Sequence, residues 1–311
     1  MELRIFVEPQ EGATYEQQLA MARAAEQLGY GAFFRSDHLL RIKPGPPGPG
    51  PTDSWVTLGA LARETSTIRL GTMVTSATFR LPGMLAVAVA QVDEMSGGRV
   101  EIGLGTGWYE AEHRAYGIPF PPFGERFDRL EEQLEILTGL WSTPADGAYA
   151  HHGRHYTLEE GPALPKPVQM PHPPVIVGGL GARRTPALAA RFAAEFNVPF
   201  ADVQGVGQRI QGVRQACEAI GRDPEELVYS HAVTVCCGEN PAELDRRAER
   251  IGRDLEDLRR SGAAGTPEEV LERLEEYRAA GASRSYLQVI DIDDLEQVEL
   301  IAAEVMPHLR A

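Results

Sequence analysis

Residues 68–104 read IRLGTMVTSATFRLPGMLAVAVAQVDEMSGGRVEIGL. The apolar runs Ile68–Val74 and Val100–Leu104 have the length of buried strands, and the segment Pro82–Met95 between them has the length of a helix. A strand, a helix and a second strand in this order give two parallel strands with the helix packed on the sheet. This stretch therefore predicts one β-α-β unit of an α/β protein.

The same alternation of strand and helix continues in both directions along the chain. Thr14 and Gln17 form a capping-box pattern that opens a helix ending near Gly29, and Thr266 and Pro267 mark a second well-formed helix start. Eight strands favour a closed (β/α)8 TIM barrel, with an open doubly wound sheet as the alternative. The predicted strands are Leu3–Val7, Ala32–Arg35, Ile68–Val74, Val100–Leu104, Val175–Val177, Phe196–Val198, Val228–Cys236 and Ser285–Ile290.

One long interruption separates the fourth predicted strand from the fifth. We interpret it as an inserted loop, in which Gly153–Tyr156 predicts a small hairpin and Pro162–Pro174 predicts an extended surface path. Because a TIM barrel takes about 250 residues, residues 1–311 are predicted to form a single domain. The other predicted helices are Ser54–Glu64, Pro82–Met95, Phe123–Trp141, Thr185–Glu195, Val206–Ile220, Pro241–Arg260, Pro267–Ala280 and Leu295–Leu309.

Composition and charge exclude several classes of partner. The formal net charge is −15, and an acidic surface repels a phosphate polymer, so nucleic acid is not expected as a partner. The cysteines Cys217, Cys236 and Cys237 lack the spacing of metal ligands, so no metal site is predicted and a reduced cytoplasmic protein fits best. Neither a signal-peptide pattern nor an apolar run of about 18 residues is present, which argues against a membrane location.

Asp37 and His38 directly follow the second predicted strand. In a parallel barrel the ligand site lies at the carboxyl ends of the strands. An imidazole exchanges protons near neutral pH, and a neighbouring carboxylate fixes its tautomer or accepts a hydrogen bond from a ligand. Because the Pro- and Gly-rich segment Pro44–Pro51 comes next and is long enough for a lid, we favour a functional pair over two residues that bond only to the backbone.

Two glycine-rich turns follow later strands. The run Gly103–Gly107 comes at the end of the fourth strand, and Gly178–Gly181 follows the fifth. Because glycine has no side chain, a ligand can approach the backbone at both runs. After the second run, a helix start suits a phosphate, which Arg183 and Arg184 would help to neutralise. Tight turns alone are the simpler alternative for each run. The first run lacks the third glycine of a dinucleotide fingerprint, because Glu110 stands there without a clearly capped helix behind it.

Seven short motifs are spread along the whole chain. They are Glu8-Pro9-Gln10, Arg35-Ser36-Asp37-His38, Leu70-Gly71-Thr72, Ser96-Gly97-Gly98-Arg99, Gly103-Leu104-Gly105-Thr106-Gly107-Trp108, Tyr116-Gly117-Ile118-Pro119 and Leu164-Pro165-Lys166-Pro167. With these motifs the sequence resembles the luciferase-like monooxygenase family, and in particular its branch of F420-dependent oxidoreductases. Together the motifs are far more specific than any one of them.

This resemblance implies a cofactor at the barrel mouth, the deazaflavin coenzyme F420 or, in other branches, FMN. It implies a non-prolyl cis peptide between Met73 and Val74, in a bulge behind the cofactor ring. It also implies that Asp37 contacts the polar edge of the ring, that Ser76 lies close to it, and that His38 acts as acid or base. The residues carried over to the cofactor tail are Thr106, Gly107, Gly178 and Gly179. Gly105 and Gly181 are further candidates for cofactor binding, and Glu8 and Trp108 are candidates for the substrate pocket.

Two departures from the family pattern bear on the substrate. Related sugar-phosphate dehydrogenases have a glutamate after the Thr-Gly pair of strand four and a tryptophan four residues after the histidine. This chain has Trp108 and Ile42 at those positions, which argues against sugar-phosphate oxidation. Trp108 is interpreted either as a surface that stacks on an apolar or aromatic substrate or as a packing residue.

Three functional hypotheses follow. The first is an F420-dependent oxidoreductase that transfers a hydride between F420 and a small organic substrate, with reduction of an activated C=C, C=N or C=O bond favoured over oxidation of a sugar phosphate. The second is an FMN-dependent monooxygenase that uses reduced flavin and oxygen, and the third is a cofactor-binding barrel without turnover. The resemblance also supports a homodimer, although a monomer with an exposed amphipathic helix would show the same pattern.

Overall fold

The computed structural model describes residues 1–45 and 48–309. The strands of this part of the chain are β1 (Glu2–Val7), β2 (Ala32–Arg35), β3 (Arg69–Ser76), β4 (Val100–Gly105), β5 (Ala148–His152), β6 (Thr157–Pro162), β7 (Val175–Gly178), β8 (Glu195–Pro199), β9 (Val228–Cys237), β10 (Ala263–Gly265) and β11 (Arg284–Val289). Its α-helices are α1 (Tyr15–Leu28), α2 (Ser54–Glu64), α3 (Pro82–Ser96), α4 (Glu110–Ala115), α5 (Phe123–Ser142), α6 (Arg184–Phe192), α7 (Val203–Ala219), α8 (Pro241–Ile251), α9 (Leu255–Ser261), α10 (Pro267–Ala279), α11 (Leu295–Glu304) and α12 (Met306–Leu309).

The described strands close a parallel barrel in the order β1, β2, β3, β4, β7, β8, β9, β11 and back to β1. The pairing of β8 with β9, in which Val198 lies opposite His231, closes the ring. Every pairing around the ring is parallel, and helices cover the outside. The predicted TIM barrel is therefore confirmed over the doubly wound sheet.

The predicted capping box at Thr14 and the predicted helix start at Thr266 are both present. Thr14 accepts a hydrogen bond from the backbone N–H of Gln17, whose side chain accepts from the N–H of Thr14. Thr266 and Glu269 make the same reciprocal pair at the start of α10. Each box satisfies backbone donors that a helix start otherwise leaves unpaired.

The inserted segment between β4 and β7 contains the predicted hairpin. Strands β5 and β6 pair antiparallel on either side of the turn at Gly153–Tyr156. Residues 163–174 then run without helix or strand, and the bonds Leu164-Pro165 and Met170-Pro171 are cis. In the predicted lid segment Pro44–Pro51, Pro46 and Pro47 lie outside the described residues.

Several predicted helix bounds are wrong, each for a local reason. The predicted helix Thr185–Glu195 ends at Phe192, because Glu195 pairs in β8 and its carboxylate accepts a hydrogen bond from Arg284 at 2.6 Å. The predicted Pro241–Arg260 helix is two helices, because Asp254 caps a new start at α9. The last predicted helix is broken near Pro307, which has no N–H to continue it.

Strand β10 has no counterpart among the predicted strands. Its three residues, Ala263–Gly265, pair with the carboxyl-terminal part of β9 beside the barrel. So short a segment carries no periodic pattern.

The amino-terminal end of the barrel is filled by a charged network. Arg4 is fully buried and donates hydrogen bonds to Glu101 at 2.7 Å and to the Tyr286 hydroxyl at 3.0 Å. Buried aromatic side chains, including Phe6 and Phe34, lie above it inside the barrel. The filled end leaves the carboxyl ends of the strands as the place for a ligand cavity. In residues 1–45 and 48–309, no helix is both long and apolar enough to cross a membrane.

Candidate active site

A cavity of about 740 Å³ opens at the carboxyl ends of the strands. Its volume lies in the range of small-molecule and cofactor sites. All thirteen residues that the sequence singles out for the site line this one cavity. They are Glu8, Asp37, His38, Met73, Val74, Ser76, Gly105, Thr106, Gly107, Trp108, Gly178, Gly179 and Gly181.

Strand β3 bulges into the cavity. The peptide bond between Met73 and Val74 is cis, as expected, and the register with β4 shifts between Thr72 and Thr75. The glycines of β4 make room for this bulge. A Cβ on Gly105 would lie 2.9 Å from a methyl carbon of Val74, and one on Gly103 would lie 2.2 Å from the carbonyl oxygen of Thr72. Both glycines therefore have a structural role, which is to let β3 and β4 pack closely, in addition to any contact with a ligand.

His38 is held by a carboxylate that lies far away in the sequence. Its Nδ1 lies 3.1 Å from both oxygens of Glu112, which also accepts a hydrogen bond from the backbone N–H of Leu39 at 2.8 Å. Glu112 is buried and lies on the short helix α4, directly after the glycine turn of β4. Because Glu112 occupies Nδ1, Nε2 is the ring nitrogen that remains for a ligand.

The surroundings of His38 favour its charged form. Burial disfavours the imidazolium, but the hydrogen bond and the charge of Glu112, with smaller contributions from Glu8 and Asp37, outweigh it. The pKa of His38 is therefore raised above its ordinary value. The side chain is suited to deliver a proton near neutral pH.

Asp37 is fixed by a partner that the sequence reasoning missed. Arg80 contacts Asp37 through both its terminal nitrogens and donates a further hydrogen bond to Asp53 at 2.6 Å. Thr75 donates to the Asp37 carboxylate at 2.9 Å. The carboxylate is buried and still lines the cavity. A bidentate guanidinium fixes its orientation and leaves further lone pairs for a ligand donor.

Glu8 also lies in a hydrogen-bonded chain. Its two oxygens accept from the amides of Gln10 at 2.6 Å and Gln288 at 2.8 Å. Ser36 donates to Gln10, and Thr234 donates to Gln288, each at 2.6 Å. These amides hold the carboxylate in place at the cavity wall.

The turn after β7 leads directly into α6. This helix starts at Arg184, and Arg183 at its N-cap position gives no side-chain cap, so backbone N–H groups remain free near Thr185, which lines the cavity. Arg184 pairs with Asp128 at 2.7 Å on α5 and is not part of the cavity lining, so its role in neutralising a phosphate stays a prediction. After the other turn, the short helix α4 does begin at Glu110, again without a side-chain cap.

Large apolar side chains surround the cavity mouth, where water would reach them. Trp108 is 61% exposed, its ring lies edge-on to His38 at 5.6 Å and it stacks on Tyr109 at 5.3 Å. The other exposed apolar residues of the lining are Ile42, Phe123, Leu180 and Phe200.

Lys43 is the one lysine or arginine that lines the cavity among the described residues, and burial lowers its pKa.

Glu112, Arg80 and Gln288 are the site residues that sequence reasoning missed. A signal existed for the first two, because both follow the end of a barrel strand that carries a predicted site residue. Gln288 lies within β11 itself, where nothing distinguishes it from a core position. Among the described residues, no cluster of three or more acidic, histidine or cysteine side chains is arranged to hold a metal ion.

Fold and site together define a parallel barrel with a ligand-sized cavity at its mouth. A model of the luciferase-like monooxygenase family matches residues 1–256, and the chain belongs to this family.

Relatives within the family differ in cofactor. The chain is 28% identical to the F420-dependent hydroxymycolic acid dehydrogenase of Mycobacterium tuberculosis, over 94% of this chain and 84% of that protein. It is 24% identical to the FMNH2-dependent dimethylsulfone monooxygenase of Pseudomonas putida, over 74% of this chain and 71% of that protein. Its fold is similar to that of an F420-dependent secondary alcohol dehydrogenase, with a TM-score of 0.84 at 19% identity over 100% and 99% of the two chains.

Proposed function

We propose that this protein is an F420-dependent oxidoreductase that reduces an activated C=C, C=N or C=O bond of a small organic substrate. One observation carries the proposal. The His38–Glu112 pair, a donor of protons, lies in the same cavity as Asp37, the β3 bulge and the two glycine turns. The F420-dependent relative that covers 94% of the chain supports the choice of cofactor.

The cavity fits a flat ring with a phosphate-bearing tail. Gly107 has a φ of +76°, and a Cβ there would lie 2.2 Å from the hydroxyl oxygen of Ser76, so only glycine keeps this wall open. The uncapped start of α6, with Thr185 in the lining, suits the phosphate. Asp37 and Ser76 would face the polar edge of the ring.

When bound, the cofactor would supply a hydride, and the protein would supply orientation and a proton. His38 is the proposed acid. Its imidazolium would donate the Nε2 proton to the oxygen or nitrogen of a C=O or C=N bond, or to the second carbon of an activated C=C bond, while the other carbon of that bond would take the hydride. Glu112 keeps the ring oriented and favours its charged form before the transfer.

The lining favours an uncharged substrate with an apolar or aromatic body. Its carboxylates are Glu8, Glu11, Asp37 and Glu112, against Lys43 as the one ammonium group in the described lining. Three of these carboxylates pair with the cationic side chains of Arg41, Arg80 and His38. Glu8 has no such partner among the described residues and would repel an anion such as a sugar phosphate beside it. The exposed face of Trp108 offers a stacking surface next to His38 instead.

The FMN-dependent monooxygenase is the second candidate, because a relative that covers 74% of the chain uses reduced FMN. The barrel without turnover is the third. Parallel fluorescence titrations with F420 and FMN separate them, with Asp37→Ala as the test variant. We expect F420 to bind, and this binding to be lost in Asp37→Ala.

Asp53→Ala is the matched control, because Asp53 contacts the same Arg80 but is not part of the cavity lining. It should keep the affinity for F420. Binding of FMN alone would favour the monooxygenase. Binding of neither, or binding without any turnover, would favour the barrel without turnover. Turnover that does not fall in His38→Asn would contradict the role of His38 as the acid.

We also propose a homodimer, formed through α2 and α3. The two helices expose large apolar side chains to solvent, which a stable monomer seldom does in one area. The exposed fractions are 76% for Val56 on α2, 67% for Leu81 at the N-cap of α3, and 67% and 39% for Met84 and Val87 on α3.

A further inference from the structure

A chain of hydrogen bonds runs from the cavity wall to a buried histidine. Ser76 lines the cavity, and its hydroxyl oxygen lies 2.6 Å from that of Thr78. The Thr78 hydroxyl lies 2.6 Å from Nε2 of His113, whose Nδ1 lies 2.8 Å from the backbone carbonyl oxygen of Tyr109. Of these residues, only Ser76 lines the cavity.

The direction of every bond in this chain follows from its buried end. A carbonyl oxygen only accepts, so Nδ1 of His113 must carry the hydrogen that it donates to Tyr109. In the neutral ring, Nε2 is then an acceptor, and the single hydroxyl hydrogen of Thr78 is donated to it. Thr78 has no second hydrogen on its oxygen, so Ser76 must donate to Thr78.

The surroundings keep His113 in this tautomer. The ring is completely buried, and it packs between the rings of Phe79, at 5.1 Å, and Phe120, at 4.5 Å. No described carboxylate contacts either of its nitrogens. An imidazolium without a counter-charge is unfavourable in a buried apolar place.

The two hydroxyls also have little freedom to turn away. Gly107 lies against them, and a Cβ at that position would be 2.2 Å from the Ser76 oxygen and 3.1 Å from the Thr78 oxygen. The backbone N–H of Thr78 donates weakly to Ser76 at 3.4 Å. The Ser76 oxygen therefore has its hydrogen committed and a lone pair left for the cavity.

We propose that His113 and Thr78 are positioning residues that make Ser76 a hydrogen-bond acceptor only, so that this wall selects a ligand group that donates, such as a ring N–H or O–H. A ligand that presents a carbonyl oxygen or an unprotonated nitrogen there is rejected, because two acceptors would face each other. That the ligand is a flavin or deazaflavin ring rests on the proposed function. The direction of the hydrogen bonds from Ser76 to His113 does not depend on the proposed function.

The tautomer is tested first, without any cofactor. The ¹⁵N chemical shifts of the histidines are measured by NMR in the wild type and in His113→Gln, and the signals that disappear belong to His113. We expect a protonated Nδ1 and an unprotonated Nε2. A protonated Nε2, in either the other tautomer or the imidazolium, would overturn the proposal.

The effect on binding is tested with F420 and FMN as probes. We expect Ser76→Ala and Thr78→Val each to weaken the affinity about tenfold. The double variant should bind no more weakly than the single variant that has the lower affinity, because both substitutions break the same chain of hydrogen bonds. Thr78→Ser should restore the affinity, since it keeps the hydroxyl.

Full affinity in Thr78→Val, or additive losses in the double variant, would also overturn the proposal. Thermal unfolding of each variant separates these outcomes from misfolding, and the NMR result stands if a variant does not fold. If the wild type binds neither probe, the proposed function fails, while the tautomer of His113 still decides the polarity of Ser76.

Discussion

Nδ1 of His38 lies 3.1 Å from both carboxylate oxygens of Glu112, although 74 positions of the chain separate the two residues. Strand β2 positions the first residue, and the helix after β4 positions the second. The contact is possible because a closed barrel brings the ends of its strands to one mouth. The pair therefore links proton transfer to the assembly of the barrel.

Replacing Glu112→Gln should lower the pKa of His38, because the charge that raises it is removed. For reduction the active form is the imidazolium, so the pH above which kcat/KM falls should move to a lower value. The pH profile of kcat/KM in the wild type and the variant measures this shift. An unchanged profile would contradict the role of Glu112.

The same variant should change how stability depends on pH. The pKa of His38 is raised in the folded state, so its contribution is complete below the unfolded-state pKa of about 6.5 and is lost as the pH rises through the folded value. The unfolding free energy of the wild type should exceed that of Glu112→Gln by a larger amount at low pH than at high pH. Denaturant titrations at two pH values measure the difference.

Replacing Arg80→Gln should destabilise the protein by about 3 kcal/mol, because it leaves the buried carboxylate of Asp37 without its cation. The free energy of unfolding in urea measures the loss. Arg23→Gln is the control, since Arg23 and Glu64 are both nearly half exposed and such pairs contribute about 0.5 kcal/mol. Equal losses of unfolding free energy in the two variants would show that the Arg80–Asp37 pair stabilises the protein no more than an exposed ion pair does.

Replacing Trp108→Ala should raise KM for aromatic carbonyl substrates about tenfold and leave kcat within a few-fold, because a stacking surface is lost while the acid remains. Steady-state kinetics measure both constants. Tyr116→Ala is the control, since Tyr116 is similarly exposed but does not line the cavity. A loss in kcat alone would place Trp108 in the chemistry instead.

Replacing Met84→Asp should convert a dimer of twice 34.0 kDa into a monomer, because a charge is expensive to bury in an apolar interface. Sedimentation equilibrium measures the mass. Ile220→Asp adds the same charge at the end of α7 and should leave the dimer intact. A monomeric wild type would end this proposal.

Replacing His231→Phe should stabilise the protein most under mildly acidic conditions. Burial lowers the pKa of His231 to about 3, and its ring stacks on Tyr277 at 3.9 Å. Between about pH 3 and 6.5 the unfolded chain takes up a proton that the folded chain does not, so the wild type loses stability as the pH falls. The variant should show a flatter stability curve between pH 5 and 8, and an identical slope would contradict this.

The sequence was enough to place Asp37 and His38 at the barrel mouth, because a residue after a strand of a parallel barrel can lie nowhere else. The bulge at Met73 and Val74 came from family resemblance, since no propensity predicts it. Glu112 was missed because its importance comes from a contact with His38 that exists only in three dimensions.

The ends of helices were the least predictable part of the fold. Glu195 has a high propensity for helices, but its ion pair with Arg284 places it in β8. Composition also gave no hint of β10, whose residues are all alanine or glycine. In each case a tertiary contact overrides the local preference of the chain.

The fit of Val74 against Gly103 and Gly105 has a consequence for exchanging parts between barrels of this family. A graft of β3 alone into a scaffold whose β4 has larger residues would drive the methyl groups of Val74 into their Cβ atoms. A Cβ at position 103 or 105 would lie only 2.8 or 2.9 Å from those methyl carbons. The bulge of one strand and the glycines of the next are therefore a single interchangeable module. Chimeric enzymes should inherit β3 and β4 from the same parent.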